Sequence, residues 1–261
     1  MLSDAAKDHA RARAARLLVY YGIDRPDEID LDAIAFDNGI EVERKSLPGC
    51  EGRLMRWPGG GRITVDESHG IEGRTRFSIA HELGHWFLHG DLDQAFWHSD
   101  TNETAWYKGS DVEQEANEFA AELLLPEVLL KPIAMQRAFE FPAVDHVAGI
   151  FRVSLTVAGL GLSRLSKDEC AVVLSDGETV WWCARNRKLG EWYFHIARGT
   201  KLSDDSKAWH APCEGDEKMT PVLTTAWFPQ CPHSHRLEVW EASRELESIG
   251  HVLTLLAVND L

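Results

Sequence analysis

From Ala5 to Tyr21, apolar residues recur every three or four positions among charged ones, which predicts an amphipathic helix stopped by Gly22. A shorter helix follows in DEIDLDAIAFDNG, with Asp30 as its N-cap and Gly39 as its stop. IEVERKSL, CEGRLMRW and GRITVDE alternate or are β-rich, and predict three strands, the last two joined by a hairpin at PGGG. A helix apolar on several sides comes next, within RTRFSIAHELGHWFLHG from Arg74 to Gly90. Gly90 to Gly109 has no clear period. A second strong helix spans about Asp111 to Leu125 and ends at Pro126. VDHVAGIFRVSLTVAGLGLSRL predicts two more short helices.

After about Ser166 the pattern changes from helical to β-like. ECAVVLSDGETVWWCAR, EWYFHIARG, PVLTTAWF, HRLEVWEA and HVLTLLAV are short, β-branched and aromatic, and SDGE marks a hairpin turn. The fold class predicted is therefore α+β, with one domain over residues 1–165 and a β-rich one over 166–261.

Composition narrows the range of partners. The formal net charge of −15 opposes binding to nucleic acid and to anionic membrane surfaces. No apolar run approaches a membrane span. The first residues lack the apolar core of a secretory signal, and the five cysteines form no CxxC pair, so a reduced, cytoplasmic chain is expected. Oligomeric state is not legible from the sequence.

Chemistry concentrates in the helix after the strands. HELGH is an HExxH motif: on a helix His81 and His85 lie one turn apart on one face, where both imidazoles reach a single metal ion. Glu82 sits about 100° round from His81 and is placed to take a proton from water at that metal. Phe77, Ala80, Leu83, Phe87 and Leu88 bury this helix on several sides. Gly84, in its middle, costs about 1 kcal/mol against Ala, which a close backbone approach would explain.

A catalytic zinc has a third protein ligand as a rule. The second strong helix offers Glu113, Glu115, Glu118 and Glu122. Helical phase places Glu113 with Asn117, Ala120 and Leu124 on the apolar stripe, and the other three acids on the opposite, polar face. A carboxylate on a core-facing stripe calls for a cation, and Asn117 could hydrogen-bond a ligand histidine. Two other assignments remain open. SDVE also reads as a capping box, with Glu113 reaching back to Ser110, and Glu115 could be the third ligand instead.

Other residues carry weaker signals. His89 ends the HExxH helix, where an imidazolium suits the helix dipole, or else orients Glu82 or a substrate. His98 and Tyr107 are candidates for stabilising an oxyanion. CPHSH, with Cys231, His233 and His235, lacks the paired spacing of a structural zinc module. The paired short helices faintly resemble a helix-turn-helix, but few of their residues are basic.

RTRFSIAHELGHWFLH followed by EQEANEFAAELLLP resembles the ImmA/IrrE family of zinc metallo-endopeptidases. The resemblance covers roughly Ala5 to Leu165, including LDAIAFDNGIEV and GRITVDE. It implies a zincin-like domain, with the HExxH helix packed on a small sheet and further helices. It also implies one catalytic Zn2+ held by His81, His85 and Glu113, with Glu82 as acid/base. Known members cleave helix-turn-helix repressors and so relieve repression in stress or in mobile elements, which makes such a repressor the expected protein substrate. Some members carry a sensor-like domain after the core, which is the analogy for a regulatory role of residues 166–261. GRITVDE is expected to be an edge strand to which an extended substrate segment pairs. The rival is a non-proteolytic, metal-containing regulator that grips a transcription factor; a purely structural metal has no need of Glu82.

Overall fold

The structure is a computed structural model and describes residues 2–90, 96–97, 110–190, 194–209, 217–231, 237–246 and 250–260. It is a mixed α+β structure with two sheets. Grouped by packing, residues up to Leu129 and Val147–Ser154 form one unit, and Leu130–His146 with the residues from Leu155 onward form the other. The two units thus interleave along the chain between Leu130 and Leu155, whereas the change of pattern in the sequence falls at residue 165.

In the first unit, α1 (Asp4–Tyr20) begins at Ser3, whose hydroxyl accepts from the Ala6 amide, and stops before Gly22 at φ 67°. It buries Ala10, Ala14, Leu17 and Leu18, one helical stripe. α2 (Leu31–Asp37) is capped by the Asp30 carboxylate at 3.0 Å from the Ala33 amide. Gly39, with φ 73°, then turns the chain into the first strand.

β1 (Ile40–Lys45), β2 (Gly52–Trp57), β3 (Gly60–Asp66) and the two-residue β4 (Phe96–Trp97) form a sheet in the order β1-β3-β2-β4. β1 runs parallel to β3, and β2 and β3 form the expected antiparallel hairpin. GRITVDE is not an edge strand: β3 lies between β1 and β2 and is paired on both sides. Its residues explain the central place, since Ile63, Thr64 and Val65 are all buried, whereas β1 exposes Glu41, Arg44 and Lys45 in the way edge strands do. On the other side of β2, Arg53 and Leu54 pair with Trp97 and Phe96 of β4.

α3 (Glu72–Leu88) carries the HExxH motif and packs on β2 and β3. Its first turn needs Gly73, where a Cβ would lie 2.5 Å from the Ser154 amide nitrogen. Arg152, held at φ 55°, ion-pairs with Glu72 at the same end. α4 (Asp111–Leu124) lies against both α3 and α1. The face expected to be solvated is therefore covered. Glu118 ion-pairs with Arg11 of α1 at 2.6 Å, and Glu122 is buried and accepts from the Glu127 amide.

Pro126 does end α4, but a helix absent from the sequence reading starts at once: α5 (Glu127–Gln136), with Pro132 inside it. α6 (Phe141–Phe151) and α7 (Leu155–Leu165) are the two short helices expected. Among the described residues no single helix is long and apolar enough to cross a membrane.

The second unit contains an antiparallel five-stranded sheet of order β6-β5-β9-β8-β7, from β5 (Glu169–Ser175), β6 (Val180–Arg185), β7 (Thr220–Val222), β8 (Leu237–Leu246) and β9 (His251–Asp260). Every residue of β5 from Cys170 to Ser175 is buried. α7 packs on this strand, and a Cβ on Gly159 would come within ordinary contact of Val172 and Leu255. Two expected strands differ. Phe194 to Gly199 is not a strand, and among the described residues an isolated bridge joins Thr179 and Lys201. In PVLTTAWF the strand stops at Val222, and Thr224–Trp227 form a helical turn, α8, that buries Trp227.

Candidate metal centre

The meeting of α3 and α4 is set by their smallest residues. A Cβ on Gly84 would lie 3.0 Å from both the Cα and the carbonyl oxygen of Ala116, so the two backbones touch where the sequence places a mid-helix glycine. This approach brings Glu113 and Asn117, one turn apart on α4, opposite His81 and His85 on α3. Arg56 of β2 fixes the end of α3, donating to the His85 carbonyl oxygen at 2.6 Å and stacking on Trp86 at 4.6 Å.

His81 Nε2 and His85 Nε2 are 3.0 Å apart. The Glu113 carboxylate reaches both, with Oε2 3.2 Å from His81 Nε2 and Oε1 3.5 Å from His85 Nε2. Both imidazoles are buried, and the Glu113 side chain is 24% exposed. The capping-box alternative does not describe this helix: Ser110 is the N-cap but makes no side-chain capping bond, and Glu113 turns toward the histidines.

These distances fit one ion. Donors about 2.0–2.1 Å from a tetrahedral metal stand about 3.3 Å from one another; the two Nε2 atoms are 3.0 Å apart, and each lies 3.2 or 3.5 Å from one of the two Glu113 oxygens. The hydrogen-bond pattern agrees. His81 Nδ1 is 2.9 Å from Asn117 Oδ1, a carbonyl-type oxygen that only accepts, so Nδ1 carries the hydrogen and Nε2 presents a lone pair to the cluster. His81, His85 and Glu113 therefore form a group that could hold a metal ion.

Glu82 is buried beside this group, at 1% exposure. The first residue of β2 lies against it: a Cβ on Gly52 would come 2.8 Å from Glu82 Oε1. Glycine at 52 leaves room for the carboxylate, a requirement the sequence offered no signal for. His89 is the C-cap of α3, its backbone amide donating to the His85 carbonyl oxygen at 3.0 Å, and its ring makes two further contacts. Its Nδ1 is 3.1 Å from His85 Nδ1, and its Nε2 is 2.9 Å from Glu115 Oε2. Glu115 is thus engaged with His89, and Glu113 is the acid within the cluster. The four-residue spacing of His85 and His89 was the available sign of that contact. His98, Tyr107, His233 and His235 lie outside the described residues, and Cys231 is buried in the apolar core of the second unit.

Two neighbouring helices that offer two imidazole nitrogens and one carboxylate, with a glutamate next to the first histidine, define a metallopeptidase-like site. Residues 36–163 match the Peptidase_M78 family, described as the IrrE N-terminal-like domain, and this segment of the chain, which includes the whole cluster, belongs to that family. A solved structure described as a Mycobacterium tuberculosis transcriptional regulator is similar over 100% of this chain and 89% of its own, with 17% identity and a TM-score of 0.60. At that identity the likeness is one of fold. No curated protein matches the chain.

Proposed function

We propose that the chain is a zinc-dependent endopeptidase of zincin-like fold that cuts a helix-turn-helix transcriptional repressor in the cytoplasm and so derepresses stress-response or mobile-element genes. One observation carries this reading: two imidazole nitrogens and a carboxylate, close enough to share one ion, lie beside a buried glutamate that a metal cage alone does not require. The IrrE N-terminal-like match supports it.

His81, His85 and Glu113 would hold the ion. When bound, zinc supplies Lewis acidity, polarising a scissile carbonyl and making water a stronger acid. Glu82 accepts the proton of the attacking water and passes it to the leaving amine. Asn117 holds the His81 ring in the tautomer a ligand needs. Gly52 keeps the space in which the Glu82 carboxylate lies. The acidic surface favours a protein substrate over direct binding to nucleic acid. Residues 166–261 are assigned a regulatory or sensory part in this scheme.

A second reading is a non-proteolytic regulator that binds a transcription factor and keeps the metal as a structural element. The solved neighbour's description as a transcriptional regulator favours it. Co-expression with helix-turn-helix repressors encoded nearby, followed by mass spectrometry, separates the two. Wild-type protein should yield repressor fragments. Glu82→Gln should retain zinc and the repressor yet release no fragments, because an amide cannot take up the water's proton. Cleavage by Glu82→Gln at the wild-type rate would sink the mechanism; repressor binding without fragments in either protein would leave the regulator.

A further inference from the structure

Asn117 holds His81 directly, whereas the Nδ1 atom of His85 faces another ring, that of His89. His85 is fully buried, and a ligand imidazole there can present Nε2 only if Nδ1 keeps the hydrogen. The neighbouring contacts run in one direction. Glu115 Oε2 is 2.9 Å from His89 Nε2. A carboxylate accepts, so His89 Nε2 carries a hydrogen and, in the neutral ring, Nδ1 is the acceptor. His85 Nδ1, 3.1 Å from His89 Nδ1, is then the donor, and its Nε2 faces His81 Nε2 and Glu113 with a lone pair.

We infer that Glu115 and His89 form a positioning relay that sets the tautomer of His85, as Asn117 does directly for His81, and that zinc affinity depends on it. The inference rests on the reading of His81, His85 and Glu113 as ligands. It gives roles to two residues that are not ligands themselves. Glu115 and Asn117, two residues apart on α4, would then each serve one histidine of α3, the first through an intervening ring and the second by contact. His89 is 9% exposed, so solvent is poorly placed to supply the acceptor in its stead.

The test compares His89→Phe with His89→Asn. Phenylalanine keeps a ring and removes the acceptor; the Oδ1 of asparagine stands near the place of Nδ1 and can still accept from His85. Zinc affinity is measured by competition with a chromophoric chelator, and the His85 tautomer by long-range 1H–15N NMR of the full chain without metal. His89→Phe should bind zinc about 10- to 100-fold more weakly and show His85 shifted toward the Nε2–H tautomer. His89→Asn should recover most of the affinity and the Nδ1–H tautomer. Wild-type affinity and tautomer in His89→Phe would overturn the relay, as would equal loss in a folded His89→Asn. The double variant His81→Ala, His85→Ala keeps the two failures apart. If it still binds zinc with full affinity, the ligand assignment itself falls. If it loses zinc while His89→Phe does not, only the relay falls.

Discussion

Around Glu241, in β8, the side-chain contacts are all donors. Ser206 Oγ, the Ala208 amide and Ser243 Oγ point at Oε1, and Trp227 Nε1 donates to Oε2 at 2.8 Å. Around Glu113, in α4, stand two imidazole nitrogens, one of them fixed as a lone pair by Asn117. Glu241 is fully buried and Glu113 only partly so. The difference lies in the balance of hydrogens. A carboxylate that receives four donors is satisfied by the protein, and such a network closes a fold. A carboxylate gathered with ring nitrogens that can present lone pairs is instead a donor set for a cation. Counting donors and acceptors thus separates a structural node from a candidate metal centre, although both are clusters of polar side chains inside a core.

The largest effect that could break this comparison is expected at the closed network. Glu241→Leu would leave Trp227 Nε1, the Ala208 amide and the Ser206 hydroxyl without their acceptor inside the core. Unsatisfied buried donors cost about 1–3 kcal/mol each before relaxation, so a loss of about 3–5 kcal/mol is expected in urea unfolding. Zinc bound per folded molecule should stay at the wild-type value. A neutral Glu241→Leu would show that the network is not what holds α8 and the 206–208 segment on the sheet.

A smaller effect is expected where α3 and α4 touch. Gly84→Ala puts a methyl group 3.0 Å from the Ala116 backbone, and backbone cannot rotate away as a side chain tip can. Overpacking of this kind costs about 1–3 kcal/mol. The same displacement would widen the gap between His81, His85 and Glu113, so zinc affinity should fall together with stability. Unchanged affinity in a destabilised Gly84→Ala would mean that the approach of the helices does not set the spacing of the donors.

Much of the first unit was legible because its signals are local. Asp30, Gly22 and Gly39 start and stop helices through contacts within a few residues. HELGH carries its own geometry, and the phase of α4 turned Glu113 toward the core. What escaped depends on neighbours distant in sequence. β3 reads like β1 by pattern, and only pairing on both sides makes it central. Glu118 and Glu122 read as solvated until α1 and the start of α5 cover them. The bond between Glu115 and His89 spans 26 residues. In the second unit, TTAW has strand-like composition, yet it forms a helical turn whose Trp227 reaches the Glu241 carboxylate. Tertiary context overrides pattern most where polar side chains hold the fold together.

The smallest effect sharpens the comparison most, because it asks whether Glu113 serves the fold or the ion. With metal removed by a chelator, Glu113→Gln should change unfolding stability by no more than about 1 kcal/mol. Its side chain is partly exposed, and no capping bond at Ser110 depends on it. With zinc added, the two proteins should part. A ligand that binds only the folded state stabilises it by RT ln(1 + [L]/Kd), about 4 kcal/mol at a thousandfold excess over Kd. Glutamine keeps the size of glutamate but offers a neutral, weaker oxygen, so Kd rises and the zinc-dependent part of stability shrinks. Thermal unfolding with and without zinc, for wild type and Glu113→Gln side by side, measures both terms. If Glu113 acts as a cap or a core contact, the loss should appear in the metal-free protein and remain the same when zinc is added. If it acts as the acid of the cluster, the metal-free curves should nearly coincide and the zinc-loaded ones should not. Glu241 should behave the other way, with its substitution costing the same at any zinc concentration, because every hydrogen its carboxylate receives comes from the protein itself.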